Sequence, residues 1–306
     1  MHKDIKSETT IDDLCYCPIC NEHFIEGDPV SGIRGANRNY LIVHKKCLND
    51  KETRIEVEKL PKVEVALEGQ IKLWRYMDLY KFISMMKNSS LFFSSPKCFD
   101  DPFEGAHGEL DNKPKWDQFY SSFFRASLIT APDNCWHQVD NEKLEKDVTR
   151  LVNEISRRNR LPIFINCWHW NENESEAMWK LYSTSVENAV AIQTTYDSLL
   201  RALRGSVSIK PVRYIDFSVQ FPDLNELYLY KRKSFEYEHE VRALFYDSRK
   251  KRKAGIERKV NLNTLIKGVY ISPYSPDWYL DLVKDLVARY GYSFEVCKSD
   301  MTKVPF

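Results

Sequence analysis

No apolar run in this sequence approaches the ~20 residues that a membrane-crossing helix needs. The opening stretch MHKDIKSETTIDD lacks the apolar core of a secretory signal peptide. Both absences predict a soluble, cytoplasmic protein with no membrane partner. Net charge is nearly absent as well: 45 Lys and Arg against 44 Asp and Glu leave +1, so no global field gathers nucleic acid or lipid. Repeats and low-complexity segments are missing. What is present is 306 residues, 43% hydrophobic and 13% aromatic, ample for a core. That length fits one large domain with a small appendage, at about 100–200 residues per domain. One patch departs from neutrality, Arg249, Lys250, Lys251, Arg252 and Lys253. It reads either as a solvated loop between strands or as a loop contacting phosphate.

Four of the eight cysteines lie in the first 47 residues. Cys17 and Cys20 form a C-x2-C pair, and His44 and Cys47 an H-x2-C pair further on. Each short pair can chelate from one turn, which is the spacing of a tetrahedral zinc site. Four protein ligands leave no open position for water, so the zinc is expected to be structural. Cys15 and His23 are spare donors. The alternative is four reduced side chains in a small core, but a segment this polar needs a staple to fold. Residues 15–48 resemble the first zinc module of LIM-type fingers and related treble-clef knuckles. The resulting division is a zinc-binding module over 1–50, a linker over 51–69 and a large domain over 70–306.

In the large domain, short apolar runs alternate with amphipathic stretches. KLWRY (72–76), LFFSS (91–95), PIFINCWHW (162–170), AVAIQT (189–194), VRYID (212–216), KGVYISP (267–273) and SFEVC (293–297) read as strands. Leu79, Phe82, Ile83 and Met86 keep helical spacing after Asp78, a candidate N-cap. Helices are predicted over 141–158, 175–183, 222–234 and 277–292. Helices and strands do not alternate strictly, so the predicted class is α+β, mainly an antiparallel sheet with flanking helices.

The stretch FEYEHEVRALF (235–245) places Glu236, Glu238 and Glu240 at every second position before an apolar run. On a strand, Glu238 and Glu240 share a face ~6–7 Å apart. Like charges so close repel unless a cation, proton or substrate intervenes. Either they form a solvated strand edge paired with Arg242 and the basic run, or they face a cleft, with Arg75 as counter-charge. Asp101 and Glu104 in FDDPFEG are expected to share that cleft, or else to belong to a capped turn. His169 and His239 are candidate acid–base groups.

Three blocks, LWRYMDLYKFISMMKNSSLFFSSPKCFDDPFEG (73–105), CWHWNENESEAMWKLYS (167–183) and KSFEYEHEVRALF (233–245), resemble an uncharacterised bacterial family, domain of unknown function 2971. The order of these blocks is similar to that of ADP-ribosyltransferases of the arginine–serine–glutamate type. Those carry an Arg on the first strand, a later Ser-x-Ser and an E-x-E opening a late strand. The matching residues here are Arg75, then Ser183 and Ser185, then Glu238 and Glu240. The resemblance implies that Arg75 holds NAD and that Ser183 and Ser185 organise the pocket. It also implies that Glu240 binds the nicotinamide ribose and Glu238 activates the acceptor. Tyr76, Trp179 and Tyr182 are aromatic candidates for stacking on NAD. On this reading the protein is a bacterial NAD-consuming enzyme, a toxin or phage-defence effector, with the zinc module selecting a protein or nucleic-acid target. Two alternatives stay open: a zinc-containing protein that binds nucleic acid or cleaves it with a metal held by its carboxylates, and a non-enzymatic interaction protein.

Overall fold

The structure, a computed structural model, describes residues 9–10, 30–34, 40–44, 46, 69–129, 141–157, 163–205, 207–218, 220–222, 226–247 and 253–306. The chain divides into two compact units. The sheet unit spans Ala66–Asp101, Leu161–Arg213 and Ser234–Phe306, and the helical unit Met1–Val65, Pro102–Arg160 and Tyr214–Lys233. Among the described residues, no helix is long and apolar enough to cross a membrane.

Among the described residues the sheet unit is built on nine strands, numbered in chain order. They are β1 (Lys72–Asp78), β2 (Ser90–Ser94), β3 (Ile163–Trp170), β4 (Ala189–Thr195) and β5 (Val207–Pro211). Then come β6 (Glu240–Tyr246), β7 (Gly255–Lys259), β8 (Gly268–Ile271) and β9 (Val296–Lys298). The order is β7-β2-β3-β1-β4-β8-β9, with β6 paired to β3 and β5 paired to β6 off that path. β8 and β9 run parallel, and the other recorded pairs are antiparallel. The fold is therefore α+β with a mainly antiparallel sheet and flanking helices.

β3 is the hinge of this arrangement. It pairs with β6 along all but its last residue, from Glu240↔His169 to Tyr246↔Ile163. Its other pairs are divided between β2, at Ser94↔Ile165, and β1, at Leu73↔Trp170 and Trp74↔His169. The sheet splits there, and side chains take the backbone groups that a continuous ladder would have used. The Asn166 Nδ2 donates to the Phe92 carbonyl at 2.8 Å, towards β2. The Arg75 Nη1 donates to the Cys167 carbonyl at 3.4 Å, from β1. Trp168 Nε1 donates to Asn166 Oδ1 at 2.6 Å and steadies the amide.

Both faces of the sheet are covered, which explains near-continuous burial along β3, β4 and β6 rather than clean alternation. Under one face lies the large core, with Leu73, Met77, Phe93, Phe164, Trp168 and Val241. Helix α1 (Leu79–Asn88) contributes Phe82, Met85 and Met86 to it, and its Leu79 and Ile83 are half-buried. The helix Trp278–Arg289 adds Tyr279, Val283 and Val287. On the opposite face Trp74, Tyr76, Ala189 and Ala191 pack against Met178 and Trp179 of the short helix Glu176–Leu181. Asp78 stands at the N-cap position of α1 but makes no capping bond. Its carboxylate instead accepts from the Thr184 N–H at 2.6 Å and hydroxyl at 3.2 Å.

The helix expected over 222–234 is not formed. Pro222 is followed by a short 3-10 turn (Leu227–Leu229), a strand (Tyr230–Arg232) and a second 3-10 segment (Lys233–Glu238). Residues 227–231 are all buried, which a helix with one solvated face cannot provide. The helices 113–129 and 196–202 and the strand β7, unread in the sequence, are also present.

In the helical unit, α2 (Lys113–Ile129) and α3 (Asn141–Arg157) meet through Trp116 and Ile155. The expected apolar stripe of α3 is there: Val148 and Ile155 are buried, while Leu144, Leu151 and Val152 are half-buried. The His107 ring lies 5.0 Å from that of Trp116. Burial pushes the His107 imidazole down to about 4 from an ordinary 6.5. The folded protein therefore resists a proton that the unfolded chain accepts near 6.5. This contribution to stability is complete above that value and is lost as pH falls towards about 4. Urea midpoints measured across this window should fall with pH, and His107→Gln should flatten the decline.

Candidate functional site

Only one of the three glutamates of FEYEHEVRALF lies on a strand. Lys233–Glu238 forms a 3-10 segment, His239 takes a positive φ of 43°, and β6 begins at Glu240. A left-handed residue other than glycine is uncommon, with His among the better tolerated types. The turn is held by the His239 N–H donating to the Glu236 carbonyl at 3.2 Å and the Trp170 N–H donating to the His239 carbonyl at 2.9 Å. It leaves Glu236 and His239 exposed but sends Glu238 and Glu240 inward, where they are 5% and 3% exposed.

Cross-strand pairing decides what Glu240 meets. Directly paired residues share a face, so Glu240 and Arg242 stand with His169 and Cys167. The Arg242 Nε donates to Glu240 Oε1 at 2.8 Å and its Nη2 to Oε2 at 2.9 Å. The pairing of Glu240 with Arg242 is thus present, but in the interior rather than at a solvated edge. Arg75 is elsewhere. Trp74 pairs with His169, which puts Trp74 and Tyr76 on the Glu240 face and Arg75 on the other. There the Arg75 guanidinium carbon is 6.0 Å from the Trp168 ring centre. Burial lowers the pKa of Arg75 despite the opposing effect of the Cys167 side chain. The counter-charge of Glu240 is therefore Arg242.

Glu238 completes a second set of contacts. Tyr182 donates its hydroxyl to Glu238 Oε2 at 3.0 Å, and His169 Nδ1 lies 2.9 Å from the Glu238 carbonyl oxygen. The His169 and Tyr182 rings are 4.6 Å apart. Burial, then the charges of Glu238 and Glu240, raise the Tyr182 hydroxyl far above the ordinary tyrosine range. It is a hydrogen-bond donor, not a base. Cys167 is likewise held well above its usual value, first by burial and then by the Glu240 charge. Tyr182→Phe should cost about 1.5–3 kcal/mol, the range for a hydrogen bond to a charged group. Urea unfolding of the variant beside the wild type measures it.

The aromatic wall follows from β1 and from the helix Glu176–Leu181. Trp179 meets Tyr76 edge-on at 4.9 Å, and Tyr76 lies 6.1 Å from His169. Glu174 fixes the loop before that helix by accepting from Trp179 Nε1 at 3.1 Å, the Ser299 hydroxyl at 2.5 Å and the Asp300 N–H at 2.9 Å. Burial raises the pKa of Tyr76, whose oxygen accepts from the Ser175 N–H at 3.0 Å. Ser183 and Ser185 are spent locally. The Ser183 hydroxyl donates to the Trp179 carbonyl at 2.5 Å, and exposed Ser185 starts the 3-10 turn Val186–Asn188.

Asp101 and Glu104 are both half-buried, Asp101 in the sheet unit and Glu104 in the helical unit. Cys17, Cys20 and Cys47 lie outside the described residues, while His44 is a buried residue at the end of the strand Tyr40–His44. Among the described residues, no three His, Cys, Asp or Glu side chains gather to hold a metal ion. Arg249, Lys250, Lys251 and Arg252 also lie outside the described residues, and Lys253 is exposed. Arg242 was expected as a partner of the glutamates at a solvated edge and meets Glu240 in the interior, whereas Cys167, buried beside it on β3, was not singled out. The available signal for Cys167 was its two-residue spacing from His169.

No family model matches the chain, and no curated protein matches it. The resemblance to domain of unknown function 2971 thus rests on its sequence blocks. Two solved structures of DarT from Thermus sp. 2.9 are similar in fold, one in complex with NAD+ and one with ADP-ribosylated single-stranded DNA. Each has 6% identity and a TM-score of 0.36, and the matches cover 78% and 79% of this chain and 100% of the other. The likeness is distant, and the chemistry has to be argued from the residues.

Proposed function

We propose that the sheet unit is an ADP-ribosyltransferase-like enzyme that consumes NAD at the face carrying Glu238 and Glu240. The observation that carries this reading is the convergence of two buried carboxylates on one aromatic-lined patch. Glu240 is fixed by Arg242, and Glu238 by Tyr182. Breaking the bond between nicotinamide and ribose develops oxocarbenium character, which an adjacent carboxylate stabilises. Glu240 takes that role. Nicotinamide leaves with the bonding electron pair, and the acceptor's nucleophilic atom bonds the ribose carbon. Glu238 takes the acceptor proton.

Tyr76 and Trp179 supply the wall against which nicotinamide stacks. Arg75 lies on the opposite face of β1, beside Trp168, and therefore takes no part in holding NAD at this patch. Access requires displacement of the residues that cover the two glutamates. NAD is thus the substrate, and zinc is assigned to Cys17, Cys20, His44 and Cys47 as a structural metal that helps choose the target.

The test uses NAD labelled in its adenylate half, incubated with purified protein and bacterial lysate. Transfer of label to protein or nucleic acid is expected from the wild type. Glu238→Gln should lose that transfer by about a hundredfold while still releasing nicotinamide to water, as expected for loss of a general base. Equal transfer by both proteins, or none from the wild type, would remove the assigned role.

A further inference from the structure

The proposed chemistry needs Glu240 as a carboxylate at a place where the residue is 3% exposed. A buried carboxylate without a partner takes up a proton rather than stay charged. Arg242 meets both of its oxygens at once, at 2.8 and 2.9 Å, in the two-pronged geometry that also fixes the plane of the carboxylate. The guanidinium is itself held in place. It is 1% exposed, its carbon lies 5.5 Å from the centre of the Phe99 ring, and its cross-strand neighbours are Cys167 on β3 and Lys210 on β5.

We propose that Arg242 is the positioning residue of this site, keeping Glu240 ionised and its carboxylate plane fixed. The catalytic part rests on the NAD reading above, whereas the charge-holding part does not. Other titratable groups surround the pair. His169 is the cross-strand partner of Glu240, and Cys167 lies beside it on β3. Glu238 comes from the preceding turn, Tyr182 from the segment after the helix Glu176–Leu181, and Lys210 from β5. Arg75 reaches the Cys167 carbonyl from β1. The Arg242 fork opposes protonation of Glu240.

The experiment compares wild type, Arg242→Lys, Arg242→Gln and the double variant Glu240→Gln/Arg242→Gln. One readout is the infrared spectrum of protein carrying carboxyl-labelled glutamate at neutral pH. Arg242→Gln should gain a protonated-carboxyl band that wild type, Arg242→Lys and the double variant lack. The other readout is the pH profile of nicotinamide release. Arg242→Gln should move its acidic limb upward by about one pH unit or more. Arg242→Lys should keep the limb but lower kcat about ten- to a hundredfold, since charge returns without the fork. KM should change by less than about threefold in both.

A limb and a band unchanged by Arg242→Gln would overturn the proposal. If that variant does not fold, Arg242→Lys decides, and wild-type kcat in it would overturn the positioning role. The double variant, free of both buried charges, should then fold where Arg242→Gln does not. If the wild type releases no nicotinamide while the band behaves as stated, the NAD reading fails and the charge-holding role stands.

Discussion

Glu240→Gln is expected to cut nicotinamide release from NAD by about a thousandfold, close to 4 kcal/mol of transition-state stabilisation. The substitution keeps the size of the side chain and one oxygen for Arg242, but removes the charge. That charge counts for more here than in water, because the site is nearly dry and the carboxylate is already oriented when the ribosyl cation forms. A structural cost accompanies it. Arg242 would face an amide in place of a carboxylate, and removing one partner of a buried pair costs up to about 3–5 kcal/mol. Release must therefore be read per folded molecule, with circular dichroism and a urea curve alongside. Activity within a few fold of the wild type in a folded variant would leave Glu240 as a structural ion-pair residue.

Trp168→Ala should be the most destabilising single substitution in the sheet unit, by about 3–5 kcal/mol in urea unfolding. Trp168 is fully buried in the large core, and its indole N–H orients the Asn166 amide that reaches Phe92 across the split. Its ring also faces Arg75. Truncation opens a cavity, loosens the Asn166 bridge and removes the ring beside a desolvated guanidinium. Trp168→Phe should recover most of the packing but not the hydrogen bond, and so separates the two contributions. A loss below 1 kcal/mol for Trp168→Ala would mean that the split relies on other contacts.

Much of the sheet was legible because its strands are written as short apolar runs bounded by polar turns. KLWRY, LFFSS, PIFINCWHW and AVAIQT all lie on strands within a residue or two of the expected limits. The segment 222–234 was misjudged because consecutive buried residues carry no period, and burial from all sides is a tertiary property. Helix 113–129 is amphipathic through scattered aromatics rather than an aliphatic stripe, which hides its period.

The site was legible in its residue types more than in its geometry. The paired glutamates stood out, but period-two reading carried the strand back to Glu238. The positive φ of His239 interrupts it there, and a left-handed histidine leaves no mark in a sequence. The same reading offered Arg242 as partner only at a solvated edge and Arg75 for a cleft, whereas Arg242 meets Glu240 in the interior. Strand register, fixed by long-range pairing with β3, turns Arg242 inward and puts Arg75 on the opposite side.

The central claim is that the Glu238–Glu240 face breaks the nicotinamide–ribose bond of NAD. The most direct measurement is nicotinamide release by purified, zinc-loaded wild-type protein, alone and with added DNA, RNA or lysate. The account predicts release above the uncatalysed rate in at least one of these conditions. A folded sample that releases none in any of them would contradict it.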